Sequence, residues 1–185
     1  MHFLKHFYTK TLQRDLSNKF FYKKTKELPK VTKIILNFGY KTTEIKQISA
    51  GLLALELITN QKGNLTQTKR SNIFLKIRKG HPVGCKLILR KTHIFEFFGR
   101  MITEIFPKIK NFDGLQLNRK IKRNVFQYEL YDTFNFNELE KHYYLFNNLS
   151  KLNITIIISS TIKEELIFIL KSVQFPIKKV YQQQI

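Results

Sequence analysis

Acidic side chains are scarce in this chain. Thirteen Asp and Glu stand against 33 Lys and Arg in 185 residues, a formal charge of +20 with histidine neutral. Lys, Ile, Asn and Phe are abundant, as an AT-rich coding sequence would make them. The same drift would raise Glu, so the cation excess exceeds codon bias. A chain this basic calls for a polyanionic partner, either nucleic acid or an anionic membrane surface. There is one cysteine, Cys85, which excludes an internal disulfide framework and a cysteine-based zinc finger. No apolar run approaches the ~20 residues of a transmembrane helix; the longest, around Ile154–Ile158 and Leu166–Leu170, are about five residues long. Internal repeats and Gly/Ser linkers are also missing. A single domain over residues 1–180 with a polar tail at 181–185 is expected, long enough to bury an ordinary core.

The basic charge is concentrated. Residues 1–90 hold 19 cations and 4 carboxylates, a net +15, while residues 91–185 hold 14 and 9, a net +5. No carboxylate lies between Glu56 and Glu96, yet that stretch carries Lys62, Lys69, Arg70, Lys76, Arg78, Lys79, Lys86, Arg90 and Lys91. A short charge run is commonly a solvated face. One this long and free of acids favours a polyphosphate contact.

Periodicity sets out the elements. Phe3, Phe7, Leu12 and Leu16 predict a first helix over residues 3–20, and Pro29 marks a boundary. Val31–Phe38 is β-branched and closed by Gly39, a strand with Thr32, Ile34, Leu36 and Phe38 on one face. Lys33 and Asn37 share the other face with Val31 and Ile35. Ile45, Ile48, Leu52 and Leu55 give a second helix to about Thr59. A strand at Leu65–Lys69 and a basic loop over 71–83 follow. Next comes the clearest alternation, with Cys85, Leu87 and Leu89 pointing one way and Lys86, Ile88 and Arg90 the other. Phe95, Phe98, Ile102, Ile105 and Phe106 form a helical stripe ending near Pro107. After an irregular Lys-, Arg- and Asn-rich excursion over 108–124, a strand at Val125–Leu130, a helix around Glu138–Leu149, a strand through Leu152, Ile154, Ile156 and Ile158, and a helix from Lys163 to Val173 complete the chain. This order predicts an α+β sandwich, a mostly antiparallel sheet with helices packed on one face. A sheet whose open face carries Lys33, Asn37, Lys86 and Arg90 has the layout of single-layer RNA-binding sheets.

Five segments carry a more specific signal: P-K-V-T-K-I-I-L-N-F-G (Pro29–Gly39), I-T-N-Q-K-G (Ile58–Gly63), F-L-K-I-R-K-G-H-P-V-G-C-K-L-I-L-R (Phe74–Arg90), F-E-F-F-G-R-M-I-T (Phe95–Thr103) and P-K-I-K-N-F-D-G-L (Pro107–Leu115). In order and spacing they resemble the universal large-subunit ribosomal protein 5 family, over about Lys5 to Lys178. Beyond Leu115 the likeness weakens. Phe126–Leu130 lacks the family's glycine-containing strand, and Phe136-Asn137-Glu138-Leu139 stands where the family has a Phe-Pro-Glu-Ile turn. Leu139–Ser159 is similar to organelle-encoded members.

The resemblance implies an RRM-like, ferredoxin-like sandwich with an added N-terminal helix and loop excursions. It implies a structural constituent of the central protuberance that binds 5S rRNA and large-subunit rRNA beside other central-protuberance proteins. By motif match the RNA-binding residues are Lys33, Asn37, Gln61, Lys62, Lys69, Arg70, Lys86 and Arg90. Asn and Gln serve base edges or ribose hydroxyls, whereas Lys and Arg take phosphate. Lys76, Arg78, Lys79, Gly80 and His81 match the loop that reaches toward P-site tRNA. Lys108, Lys110, Asn111 and Asp113 match the region that bridges to small-subunit ribosomal protein 13. Blander roles stand beside these: Asn37 as a strand-end turn residue, Gln61 as a solvated neighbour of a helix end, His81 as loop filler, and Cys85 as a small buried hydrophobe.

No enzymatic signature competes. His2, His6, His93 and His142 offer no metal-ligand spacing, and no Gly-rich phosphate loop, nucleophile elbow or paired-acid motif is present. An organellar nucleic-acid-processing enzyme or intron-splicing factor would need metal-binding carboxylates, and the basic half holds only Asp15, Glu27, Glu44 and Glu56. A membrane-surface role for the first helix fits poorly with charge spread this evenly, so neither membrane nor cofactor is expected. Residues 1–14 are basic and acid-free like a transit peptide. Because the resemblance already starts near Lys5, an organelle-encoded protein working where it is made is expected, in a mitochondrion, with a plastid as the alternative.

Overall fold

The structure is a computed structural model that describes residues 3–115, 124–160 and 162–178. Five strands form one sheet in the order β2-β3-β1-β5-β4: β1 Val31–Gly39, β2 Asn64–Gln67, β3 Pro82–Leu89, β4 Val125–Leu130 and β5 Leu152–Ile158. Helices pack on this sheet, an α+β arrangement consistent with the ferredoxin-like fold. The alternation expected for β1, β3 and β5 is present: Ile34, Leu36 and Phe38, then Cys85, Leu87 and Leu89, then Leu152, Ile154, Ile156 and Ile158 are all buried. The residues fall into two compact units. One takes the described positions within Met1–Lys33, Arg90–Gln127 and Ile156–Ile185, the other Ile34–Leu89 and Tyr128–Thr155.

In the first unit, α1 (Phe3–Phe7), a π-helical turn (Tyr8–Leu12) and α2 (Gln13–Lys19) run on without a break. The wider π turn displaces the expected stripe: Tyr8, Leu12 and Leu16 are buried, while Phe3 is exposed. Tyr8 anchors the turn, its hydroxyl donating to the Pro29 carbonyl at 3.2 Å and accepting from the Val31 N–H at 3.2 Å. A second π turn, Met101–Ile105, joins α4 (Thr92–Arg100) to α5 (Phe106–Lys108). α4 buries Ile94, Phe97 and Phe98 and the π turn buries Met101 and Ile105, while Phe95 and Ile102 of the predicted stripe are half-buried. Phe98, Phe106 and Phe175 meet edge to face at 5.2 and 5.5 Å. Each fully buried ring of this kind contributes roughly 1.5–3 kcal/mol of transfer free energy.

The second unit is built on α3 (Ile45–Thr59), whose bounds match the expected helix. The buried positions are Ile48, Gly51, Ala54, Leu55 and Ile58, and Ile45 is exposed. Asn60 closes α3 in the left-handed region at φ 54°, its N–H bonded to the Glu56 carbonyl at 2.7 Å. The helix expected around Glu138–Leu149 is divided into α6 (Asn137–Glu140) and α7 (Tyr143–Phe146). His142 leaves helical geometry at φ −122°, ψ 42° and breaks it. Helix α8 (Lys163–Ser172), in the first unit, ends one residue short of the expected Val173. Positions 116–123 of the predicted excursion and the expected polar tail at 181–185 lie outside the described residues.

A candidate nucleic-acid interface on the open sheet face

Strand register decides which side chains stand together. β1 pairs antiparallel with β3, setting Asn37 opposite Lys86 and Ile35 opposite Ile88. β3 pairs antiparallel with β2, setting Asn64 opposite Lys86 and Thr66 opposite Gly84. Directly opposed residues share a face, with Cβ atoms roughly 4.5–5.5 Å apart. Asn37, Lys86 and Asn64 therefore form one polar row across three strands. Beside it runs an apolar row, Ile35 and Ile88. The opposite faces of the same strands carry Phe38, Cys85, Leu87 and Leu36 into the core beneath α3. Burial pushes the Cys85 thiol up to about 11, and its sulfur lies 3.2 Å from the Ile48 carbonyl oxygen. It is a buried hydrophobe, as its alternation predicts.

The polar row combines a cation with two amides. Lys86 supplies three donors for phosphate, and each Asn offers a carbonyl acceptor and two N–H donors suited to a base edge or ribose hydroxyl. Among the described residues, no other protein group holds these three side chains. Lys33 lies on the same β1 face two positions before Ile35 and is half-exposed. Arg90 is exposed and follows the last residue of β3. Gln61 and Lys62 sit in the turn between Asn60 and β2, the first half-buried and the second exposed.

The predicted 71–83 loop is an ordered hairpin. Asn72 and Ile77 form a two-way backbone pair at 2.8 and 3.0 Å, and the Asn72 Oδ1 accepts from the Leu75 N–H at 3.4 Å. At its base Thr68 Oγ1 donates to the Arg78 carbonyl at 2.8 Å. The Thr68 N–H donates to the His81 carbonyl at 3.0 Å, and the Gly80 N–H to the Thr68 carbonyl at 3.0 Å. Gly80 occupies φ 88° and Lys76 φ 53°, conformations that close the two turns. Ile77 is buried, while Lys69, Arg70, Lys76, Arg78, Lys79 and His81 are all exposed. The hairpin thus gathers six sequence-predicted residues onto one projection, and none of the cations has a carboxylate partner among the described residues.

The third predicted group lies in the first unit. Lys108 ends α5, Lys110 and Asn111 are exposed, and Asn111 stands at φ 53°. Asp113 pairs with Lys178 at 3.6 Å. The segment is pinned by the Phe106–Phe112 ring stack at 5.2 Å and by Leu115, which bonds to Pro176 and Lys178 at 2.7 and 3.0 Å. Sequence reasoning missed Asn64, because β2 begins one residue earlier than expected, and it missed the Ile35–Ile88 pair. It also passed over the exposed apolar tip of the hairpin. Among the described residues, no group of three His, Cys, Asp or Glu side chains is placed to hold a metal ion.

Comparison with known proteins adds the context for this face. Residues 82–177 match the family model for the C-terminus of the ribosomal L5 family. The chain is 37% identical over 181 residues to the mitochondrial large ribosomal subunit protein uL5m of Reclinomonas americana, covering 97% of this chain and all of that one. It is 33% identical over 174 residues to the uL5 of Nitrosomonas europaea, 93% and 96% of the two chains. It is 30% identical over 177 residues to the uL5 of Malacoplasma penetrans, 93% and 92%.

Proposed function

Because the chain belongs to the ribosomal L5 family, a structural component of the large subunit and not an enzyme, we propose that it binds 5S rRNA in the central protuberance through the open face of its sheet. The carrying observation is the row Asn37–Lys86–Asn64, with amides flanking a cation on a partly exposed sheet face. Lys33, Arg90, Gln61 and Lys62 extend the contact, and Lys69 and Arg70 take phosphate at the root of the hairpin. The hairpin residues Lys76, Arg78, Lys79, Gly80 and His81 reach the P-site tRNA. The ordered turn at Lys108, Lys110, Asn111 and Asp113 meets small-subunit ribosomal protein 13. The likeness to a mitochondrial relative supports a mitochondrial ribosome as the place of work.

The test is binding of the full-length protein to 5S rRNA and to an unrelated RNA of equal length across a salt series. Preference for 5S rRNA that survives ~0.2 M salt shows shaped recognition beyond counterion release. Equal and salt-sensitive binding to both RNAs defeats the proposal. Lys33→Ala and Arg90→Ala each flatten the slope of log affinity against log salt by about one unit if each touches a phosphate. An unchanged slope removes that residue from the interface.

A further inference from the structure

Within the basic hairpin, the residues at the very tip are apolar. Phe74 is 97% exposed and Ile73 is 90% exposed, both on the turn closed by the Asn72–Ile77 pair. Exposing two large hydrophobes on a hydrogen-bonded turn costs solvation free energy that the fold does not offset, since Ile77 alone carries the hairpin's burial. Phe21 is equally exposed, but it lies in the stretch between α2 and the next short helical turn, where no comparable pairing presents it. The tip stands between Lys69 and Arg70 on one arm and Lys76, Arg78 and Lys79 on the other, in a stretch without a carboxylate. Apolar exposure alone would suit a protein pocket or a bilayer as well as RNA. Five cations on the two arms that carry the ring, with no carboxylate among them, favour a polyanion that also offers flat apolar faces.

We propose that Phe74 is a stacking residue: its ring lies against the face of an unpaired RNA base while the flanking cations hold the neighbouring phosphates. This deepens the reading of the hairpin as an RNA contact and rests on it. Stacking on an aromatic side chain is open to any base that has left its helix and closed to bases inside a duplex. The preformed turn also means that little conformational entropy is lost when the base arrives.

The chain contains no tryptophan, so Phe74→Trp introduces a single indole at the contact. The full-length variant is titrated with a stem-loop RNA bearing an unpaired loop and with a perfect duplex of equal length and charge. Quenching by the stem-loop and not by the duplex is the expected result. Phe74→Ala lowers stem-loop affinity about tenfold and leaves duplex affinity unchanged. Because no cation is lost, its salt slope is that of the unsubstituted protein. Phe74→Leu behaves like Phe74→Ala, since the apolar bulk is kept and the ring removed. Stem-loop binding with no change in emission, or full affinity in Phe74→Leu, overturns stacking and leaves the hairpin as a phosphate contact only. A spectral shift with phosphatidylglycerol vesicles and none with either RNA assigns the tip to a membrane and overturns it too. Failure of both RNAs to bind the unsubstituted protein removes the RNA reading of the hairpin and this proposal together. All three variants keep the circular dichroism of the parent, as expected for so exposed a position.

Discussion

Two tyrosines show how the same hydroxyl acquires opposite roles from its neighbours. Tyr22 donates to Glu165 Oε1 at 3.0 Å, and Glu165 is buried at 3% exposure near the start of α8. Desolvation, reinforced by the bond to that carboxylate, raises the Tyr22 pKa. Tyr40 also has its pKa raised by burial, but its hydroxyl, enclosed against Gly51 and near Ser150, finds no hydrogen bond of good geometry among the described residues. A buried donor without a partner carries its full desolvation penalty, whereas a bond to a charged group is worth roughly 1.5–3 kcal/mol. Tyr22→Phe is therefore expected to destabilise the protein by about 1.5 kcal/mol, the low end because Glu165 has further interactions. Tyr40→Phe is expected to be neutral or stabilising. Urea unfolding of both variants checks the contrast, and a larger loss for Tyr40→Phe than for Tyr22→Phe contradicts it.

At the scale of elements, close approach of strands makes its own demand on residue type. Gly84 sits in β3 between β2 and β1, and a Cβ there would lie 2.5 Å from the Phe38 carbonyl oxygen and 2.8 Å from Thr66 Oγ1. The first of these atoms is backbone and has nowhere to retreat within the ladder. Gly84→Ala is expected to cost about 1–3 kcal/mol and to disturb the Asn37–Lys86–Asn64 row two residues along. A variant with unchanged stability and unchanged RNA affinity refutes both parts. The same strands were the most legible part of the sequence. β1, β3 and β5 alternate β-branched or aliphatic residues with polar ones, and a period of two admits only one assignment of faces. Helix α3 was legible for a similar reason, being a long apolar stripe ended by Asn60. What alternation and helical spacing do not encode went unread. The hairpin over 68–81 is closed by Thr68, Asn72, Lys76 and Gly80 through local hydrogen bonds, and π turns shift a helical stripe by one residue, exchanging Phe7 for Tyr8. Of the candidate interface, the cations and Asn37 could be read from pattern and resemblance. Asn64 and Phe74 required the register and the turn.

For the whole molecule, alkaline pH brings two effects into opposition. Rising pH lowers the positive charge of a +20 chain, which relieves its self-repulsion and favours the compact state. Burial works the other way. The Cys85 thiol is raised from its ordinary 9.0 to about 11, and the Tyr8 phenol from 10.0 to about 12. In each case the fold holds the proton more tightly than the unfolded chain does. As pH rises, the unfolded chain releases these protons first, so its population grows. The contribution of Cys85 is complete below about pH 9 and is lost as pH climbs to about 11; that of Tyr8 follows from 10 to about 12. A melting curve of the unsubstituted protein alone mixes these losses with the relief of self-repulsion. Comparison with Cys85→Ala separates them, because both proteins carry the same lysines and the small cavity shifts stability by an amount independent of pH. The melting temperature of the unsubstituted protein is expected to fall more steeply than that of Cys85→Ala between pH 9 and 11, with the two curves parallel below pH 8. Parallel curves throughout would show that the thiol ionises as freely in the fold as outside it, and would remove Cys85 from the buried face of the sheet on which Lys86 and Asn37 are displayed.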